Sequence, residues 1–203
     1  MSRYDEIYQS LEKQGWAISD SVIPMSWQIT LLMQGWQLWE DGHFHMAGIG
    51  RGANDARRPD IRGDTIYWIQ PKSPEARHPF FAWMAEFRED LSKRYHLGLR
   101  SQEFHFARYG AGQGYKKHID QHRDSDHRKI SIVLYLNVQW NPINGGELCL
   151  YEPENPDLET RRVTPMGARL VVFRSGLIPH AVLPCRQTRW SLTGWLRSDE
   201  IPE

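Results

Sequence analysis

Residues 102–120, QEFHFARYGAGQGYKKHID, hold two short extended runs on either side of a glycine-rich turn. The first run, residues 102–109, is rich in aromatic side chains, and the second, residues 115–119, follows the GAGQG turn directly. This arrangement predicts two neighbouring β-strands. The second run leads into His118-Ile119-Asp120, in which the first and third side chains share one face of an extended chain.

The rest of the second half repeats this pattern of short strands separated by turns such as NPINGG and TPMG. The first half instead mixes helices, beginning near Asp5, Pro24 and Pro79, with short extended runs. Many short strands with a few helices predict an α+β fold, with a double-stranded β-helix (jelly roll) core and helices packed against one sheet. Further strands are predicted at residues 16–20, 64–70, 130–138, 147–151, 169–173, 177–183 and 189–197.

The chain is expected to form a single domain over residues 1–203. Residues 1–100 would supply helical support, and residues 101–197 the jelly-roll catalytic core. The segment 48–63, GIGRGANDARRPDIRG, contains four glycines and four arginines and few apolar residues. Such a composition predicts a mobile surface loop.

Composition excludes several classes of partner. Lys+Arg and Asp+Glu are equal, 25 against 25, which disfavours a nucleic-acid partner. Mean hydropathy is −0.63 and the longest apolar runs are too short to cross a bilayer, so no membrane partner is expected. The polar start MSRYDEIYQS does not resemble a signal peptide, and two cysteines form no disulfide framework. We therefore expect a cytoplasmic protein.

His118 and Asp120 are candidate metal ligands, since both would point to the same side of their strand. A third ligand could come from His180, which opens another short strand after a turn. Two imidazoles and one carboxylate on one octahedral face leave three open positions, a pattern that suits non-haem Fe(II). The alternative for the dipeptide spacing alone is a surface histidine hydrogen-bonded to a nearby aspartate.

Arg189 is a candidate anion-binding residue. On its strand it shares a face with Ser191, Thr193 and Trp195. An arginine inside an apolar barrel requires an anion, and the guanidinium fork matches a carboxylate in two parallel hydrogen bonds. Tyr135, on another predicted strand, could add a phenol to the same carboxylate. The alternative for Arg189 is a surface salt bridge.

These pieces, in this order, resemble the 2-oxoglutarate/Fe(II)-dependent dioxygenases of the prolyl 4-hydroxylase group. Within that group the chain most resembles the prolyl hydroxylases that act on hypoxia-inducible factor, and their bacterial relatives. The matching pieces span nearly the whole chain and comprise Ile61–Asp64 with Trp68, Arg108–Asp120, Tyr135–Asn137, Gly145–Leu148, Pro179–His180 and Thr188–Trp195.

The resemblance implies a role for each matching residue. It implies that His118, Asp120 and His180 bind Fe(II), and that Arg189 pairs with the far carboxylate of 2-oxoglutarate. These four residues are the implied catalytic set. The further positions implied to contact the cosubstrate are Tyr109, Tyr135, Leu148, Thr193 and Trp195, and those implied to contact the substrate are Arg62, Asp64, Tyr115 and Arg128.

The resemblance further implies a reaction. A prolyl residue, presented in a loop of a protein substrate, would be hydroxylated by O2 to 4-hydroxyproline, with 2-oxoglutarate giving succinate and CO2. For the bacterial relatives a translation elongation factor is the implied target, with ascorbate as a further cofactor and oxygen sensing as an implied use. Two alternatives remain open: a hydroxylase of another small molecule or side chain, and a catalytically silent jelly-roll binding module.

Overall fold

The computed structural model describes residues 4–48, 58–121 and 125–200. Its three α-helices begin where the sequence predicts them. A proline precedes or opens two of these helices, where a fixed φ and a missing N–H carry no penalty. The helices are α1 (Asp5–Gln14), α2 (Met25–Glu40) and α3 (Pro79–Tyr95), and two short 3₁₀ turns cover Pro74–Arg77 and Pro142–Asn144.

Eleven strands are present in the described residues. They are β1 (Trp16–Ser19), β2 (His45–Met46), β3 (Thr65–Ile69), β4 (Ser101–Tyr109), β5 (Tyr115–His118), β6 (Arg128–Tyr135), β7 (Leu148–Tyr151), β8 (Glu159–Val163), β9 (Leu170–Arg174), β10 (His180–Val182) and β11 (Arg189–Arg197). They form a seven-stranded sheet in the order β1-β9-β6-β11-β4-β3-β2 and a four-stranded sheet in the order β5-β10-β7-β8. The predicted double-sheet architecture is confirmed.

The larger sheet draws strands from both halves of the chain. β1 pairs with β9, and β3 pairs with β4, so residues before position 100 contribute strands as well as helices. Hydrogen bonding therefore continues across the expected boundary between support and core. Most of the predicted mobile loop, residues 49–57, lies outside the described residues.

Three strands differ from the sequence-based expectation. β2 was not predicted, because two residues are too few to show an alternating pattern. β8 was not predicted, because its sequence ETRRV carries charge on an exposed edge and has little apolar character. The run predicted at 177–183 shortens to β10, because the N–H groups of Leu177 and Ile178 both donate to the carbonyl of Arg174 and form a turn instead.

The helices cover one face of the larger sheet, as predicted. Alternate residues of its central strands, such as Phe106 on β4 and Ile132 on β6, are fully buried against them. Gly35 of α2 favours this close approach, since a Cβ there would lie 3.0 Å from the Phe106 ring and would crowd it. None of the helices in the described ranges is long and apolar enough to cross a bilayer.

The opposite face of the larger sheet looks toward the smaller sheet. Its intervening residues, including Tyr109 and Val133, form a second apolar cluster with Leu148 and Leu150 of β7. A cavity of about 540 Å³ opens between the two sheets. The period-two alternation of each strand thus assigns one set of side chains to the helix-covered core and the other to the cavity.

Candidate active site

Three predicted metal ligands converge in the cavity. His118 on β5 lies directly opposite His180 on β10 in the antiparallel register, and Asp120 follows β5 by two residues. The Oδ1 of Asp120 lies 3.4 Å from the Nε2 of His118 and 3.5 Å from the Nε2 of His180. All three ligand atoms lie within 4.8 Å of one another, as a single metal ion requires.

Backbone and hydroxyl groups orient these ligands. The Nδ1 of His118 donates to the Lys116 carbonyl at 2.8 Å, and that of His180 donates to the Ile178 carbonyl at 3.0 Å. Both Nε2 atoms are thereby left as acceptors facing the centre. Ser131 donates to the second carboxylate oxygen of Asp120 at 2.7 Å. This donor set of two imidazoles and one carboxylate fits Fe(II).

The electrostatics of the centre favour a charged aspartate. Burial alone would raise the pKa of Asp120, but the adjacent His180 and His118 hold it well below its usual range. Burial, with His180 second, lowers the pKa of His118. His180 is also desolvated, yet the charge of Asp120 outweighs that effect and raises the pKa of His180. The carboxylate is therefore ionised and available to a cation.

Arg189 forms the far end of the cavity. It is 2% exposed, and its Nε donates to the Gly146 carbonyl at 2.9 Å. Its guanidinium carbon lies 5.0 Å from the ring centroids of both Tyr109 and Tyr135. Among the described residues no carboxylate pairs with it, so the surface salt bridge considered for Arg189 is not what the fold forms.

An unpaired guanidinium at this depth fits the carboxylate of 2-oxoglutarate. A buried charge without a counter-ion is costly, and a bidentate carboxylate would neutralise it. The Tyr135 hydroxyl is buried beside Arg189 and makes no hydrogen bond among the described residues. Burial raises the pKa of this phenol, so it stays protonated and can donate to the same anion.

Arg62, Asp64 and Tyr115 lie together at the mouth of the cavity. Arg62 donates to both oxygens of Asp64, at 2.8 and 3.0 Å, and its guanidinium lies 5.0 Å from the ring centroid of Tyr115. Burial would lower the pKa of Arg62, but Asp64 outweighs this and raises it. Tyr115 in turn stacks on His118, with centroids 3.5 Å apart. The entrance is thereby tied to the metal centre.

Arg128 lies over the ring of Trp195 in the cavity wall, with its guanidinium carbon 3.5 Å from the ring centroid. Glu103 accepts a hydrogen bond from Arg128 at 2.8 Å and another from Arg197 at 2.7 Å. Arg128 is therefore neutralised before any substrate arrives, and it presents a flat surface rather than a free charge.

The fold brings the predicted site residues together. All of them line this one cavity except Tyr135, which lies buried against Arg189. Leu148 is 2% exposed on β7, and Thr193 lies two residues along β11 from Ser191. Their contributions to cosubstrate and substrate binding stay predictions.

Three residues of the site were not predicted from the sequence. Ser131 donates a hydrogen bond to Asp120, and Glu103 accepts one from Arg128. The third residue, His105, is buried and forms part of the cavity wall. The available signal was the alternation on β4, which puts residues 103 and 105 on the same face as Tyr109.

Comparison with known proteins also indicates an oxygenase that uses Fe(II) and 2-oxoglutarate. Residues 104–197 match the 2OG-Fe(II) oxygenase superfamily. Egl nine homolog 1 of Rattus norvegicus is 30% identical over 145 residues, which cover 67% of this chain and 41% of that protein. The chain thus spans about two fifths of the length of this curated relative.

Two solved structures resemble the chain over almost its full length. A Pseudomonas putida prolyl-4-hydroxylase is 35% identical with a TM-score of 0.83, covering 96% of this chain and 98% of that one. A Trichoplax adhaerens prolyl hydroxylase, solved with a peptide fragment of the hypoxia-inducible factor oxygen degradation domain, is 28% identical with a TM-score of 0.78, covering 96% and 88%. With the metal triad and the buried Arg189, these matches show that the chain belongs to the 2OG-Fe(II) oxygenase superfamily.

Proposed function

We propose that this protein is a prolyl 4-hydroxylase that uses Fe(II), 2-oxoglutarate and O2 to modify a proline in a protein substrate. The observation that carries the proposal is the pairing of one metal triad with one unneutralised Arg189 in the same cavity. A metal site alone would suit many reactions. A buried guanidinium at the opposite end adds the counter-charge that a dicarboxylic cosubstrate needs.

Different residues of the chain would bind the iron and the cosubstrate. His118, Asp120 and His180 would hold the iron, and Arg189 with Tyr135 would hold the far carboxylate of 2-oxoglutarate. When bound, iron and 2-oxoglutarate together supply the oxidising chemistry, in which one oxygen atom enters the substrate and the other enters succinate as CO2 leaves. Once the cosubstrate and a peptide fill the cavity, the enclosing sheets would keep bulk water away from the reacting groups.

The cavity wall favours an apolar ring as the group to be modified. Trp68 and Trp195 lie on the larger sheet, and Tyr115 lies across from them on the smaller one. Aromatic faces such as these provide contact area for a pyrrolidine ring. The two arginines at the entrance, Arg62 and Arg128, are already paired with carboxylates. A peptide would therefore be recognised here by shape and hydrogen bonds more than by its charge.

The experiment that tests the proposal supplies each reactant in turn. The protein is incubated without oxygen with Fe(II), 2-oxoglutarate and a panel of proline-containing peptides, some of them taken from a translation elongation factor. Air is then admitted. We expect one peptide to gain the mass of one oxygen atom, with an equal amount of succinate, and fragmentation to place the oxygen on proline.

The controls separate the alternatives. The Asp120→Ala variant should yield neither product. Oxygen on another side chain or a small molecule would favour a different hydroxylase, and absence of succinate under all conditions would favour the silent binding module.

Several related expectations belong to this proposal. The two cysteines in the described residues are unpaired and buried, and burial raises the pKa of Cys149 to about 11, which keeps its thiol protonated. Such thiols suit the reducing cytoplasm proposed as its location. The use of ascorbate, the elongation factor as target, a role in oxygen sensing and the absence of nucleic-acid and membrane partners stay predictions.

A further inference from the structure

The outward face of α2 is apolar along most of its length. Met25, Ile29, Met33 and Trp36 follow one another at spacings of four, four and three residues, which places all four on one side of the helix. Each of these side chains is between 40% and 69% exposed, whereas Leu31 on the inner side is fully buried in the core. A continuous row of large apolar side chains in solvent marks an interaction surface.

This row continues into a second cavity, of about 600 Å³, beside the C-terminal half of the helix. Met33 and Trp36 line it together with Val138, Trp140 and Trp190. Val138 is itself 66% exposed. We call the four helix residues and the lining of this cavity the α2 patch. Tryptophan and methionine, which dominate it, are residue types enriched at protein interfaces.

The α2 patch carries no charge. The sequence has no charged residue between Asp20 and Glu40, and the described residues that line the second cavity are all apolar, amide or hydroxyl side chains. Such a surface offers nothing to an oppositely charged partner, and it can meet an identical surface without like-charge repulsion. Helices that lie on membranes carry Lys or Arg beside their apolar face, and α2 has neither, which disfavours a lipid surface.

The two halves of the patch complement each other under a two-fold rotation. Met25 and Ile29, in the N-terminal half, stand in solvent outside the second cavity, whereas Met33 and Trp36, in the C-terminal half, border it. When two α2 helices lie antiparallel, with the axis midway along the row, Met25 of each chain faces Trp36 of the other. The exposed half of each row then meets the cavity of the other chain. A symmetric dimer requires this kind of self-complementary surface.

We propose that the α2 patch is the contact between two copies of this chain, which form a symmetric dimer with antiparallel α2 helices. α2 packs on the face of the larger sheet opposite the one that lines the metal cavity. The contact therefore lies on the other side of this sheet from the metal triad. The inference does not depend on the proposed reaction.

Sedimentation equilibrium of the full chain over a range of concentrations tests the dimer. We expect the mass to rise from the 23.8 kDa of one chain toward twice that value. Met33→Glu places two like charges near the two-fold axis and should raise the dissociation constant about tenfold or more. Because Met33 is exposed, the variant should keep the unfolding temperature of the original chain under dilute, monomeric conditions.

The matched control carries the same new charge outside the patch. Leu158 is a 54% exposed apolar residue between β7 and β8 of the smaller sheet. Leu158→Glu should therefore associate as the original chain does.

A mixture of two variants tests the symmetry of the contact. Met33→Lys should also fail to associate, because it again places like charges near the axis. An equimolar mixture of Met33→Glu and Met33→Lys at low salt should recover the dimer, since opposite charges then meet. Recovery is expected only if α2 of one chain meets α2 of the other.

Each outcome decides for or against the dimer. Loss of association in Met33→Glu, with recovery in the mixture, supports it. A mass of 23.8 kDa at every concentration up to the solubility limit overturns it, as does association that both Met33 variants leave unchanged. Association that the mixture does not restore would mean that α2 meets a different surface, which overturns the two-fold arrangement. A monomer that sediments with phosphatidylcholine vesicles would assign the patch to lipid instead.

Discussion

The same strands form both faces of the seven-stranded sheet, but one face packs against the helices and the other lines the cavity. On the helix-covered face, residues such as Ile132 and Leu192 are fully buried in an apolar core. On the cavity face, the same sheet carries Arg189, a buried guanidinium with no carboxylate partner among the described residues, and the buried imidazole of His105. Stability and function are thus divided by side-chain direction, and a shift of one residue in register would exchange them.

Loss of a metal ligand in the cavity should have the largest effect on activity and little effect on stability. Asp120→Ala should abolish iron-dependent turnover and metal binding, because only two imidazoles remain, while the free energy of unfolding of the metal-free protein changes little. Turnover, Co(II) absorption and thermal unfolding are the measurements. Asp126→Ala, which removes a 72% exposed carboxylate nearby, is the matched control and should retain activity. Retained metal binding in the Asp120 variant would show that the ligand set is wrong.

The second largest effect should be on the binding of the cosubstrate. Arg189→Ala should weaken the binding of 2-oxoglutarate by about 2–5 kcal/mol, because it removes the counter-charge of a buried carboxylate. Calorimetric titration of the Zn(II)-loaded protein measures this without turnover. Arg186→Ala, a substitution in the loop between β10 and β11, provides the control. An unchanged affinity in the Arg189 variant would mean that the cavity face holds the cosubstrate elsewhere.

A pair of adjacent residues on β6 compares the faces directly. Ile132→Ala should destabilise the fold by about 2–5 kcal/mol, since it opens a void in the closed core. Val133→Ala, on the cavity face, should cost less, because water already reaches that surface. Denaturant unfolding of both variants gives the two values. Equal losses would show that the cavity face packs as tightly as the core.

The smallest effect concerns the charges at the end of the cavity face. Arg197 donates to Asp199 at 2.7 and 2.9 Å, and chiefly this hydrogen bonding lowers the pKa of Asp199 below its ordinary 3.8. A lowered folded-state pKa stabilises the fold above 3.8, and that contribution is lost as the pH falls through the lowered value. Asp199→Asn should therefore cost about 0.2–1 kcal/mol at pH 7, and nothing in strong acid. A difference that grows toward acid pH would reverse the sign of this linkage.

Much of the fold and site could be predicted because the chemistry is local. The extended runs and turns around residues 102–120 specify strands, and the spacing of His118 and Asp120 places both on one face. β8 could not be predicted, since an exposed edge strand needs no apolar pattern. Ser131, Glu103 and His105 were missed because nothing in their neighbouring sequence indicates which distant group each one meets.

The sequence by itself determined which residue types were available and which of them share a side of each strand, because that alternation is a property of the extended backbone. Only the tertiary structure decided that His118 faces His180, that Arg189 is left without a counter-charge, and that His105 and Trp195 stack with unpaired nitrogens. These facts depend on register between strands far apart in sequence. Register is set by the packing of the whole sheet against its helices, and no single segment encodes it.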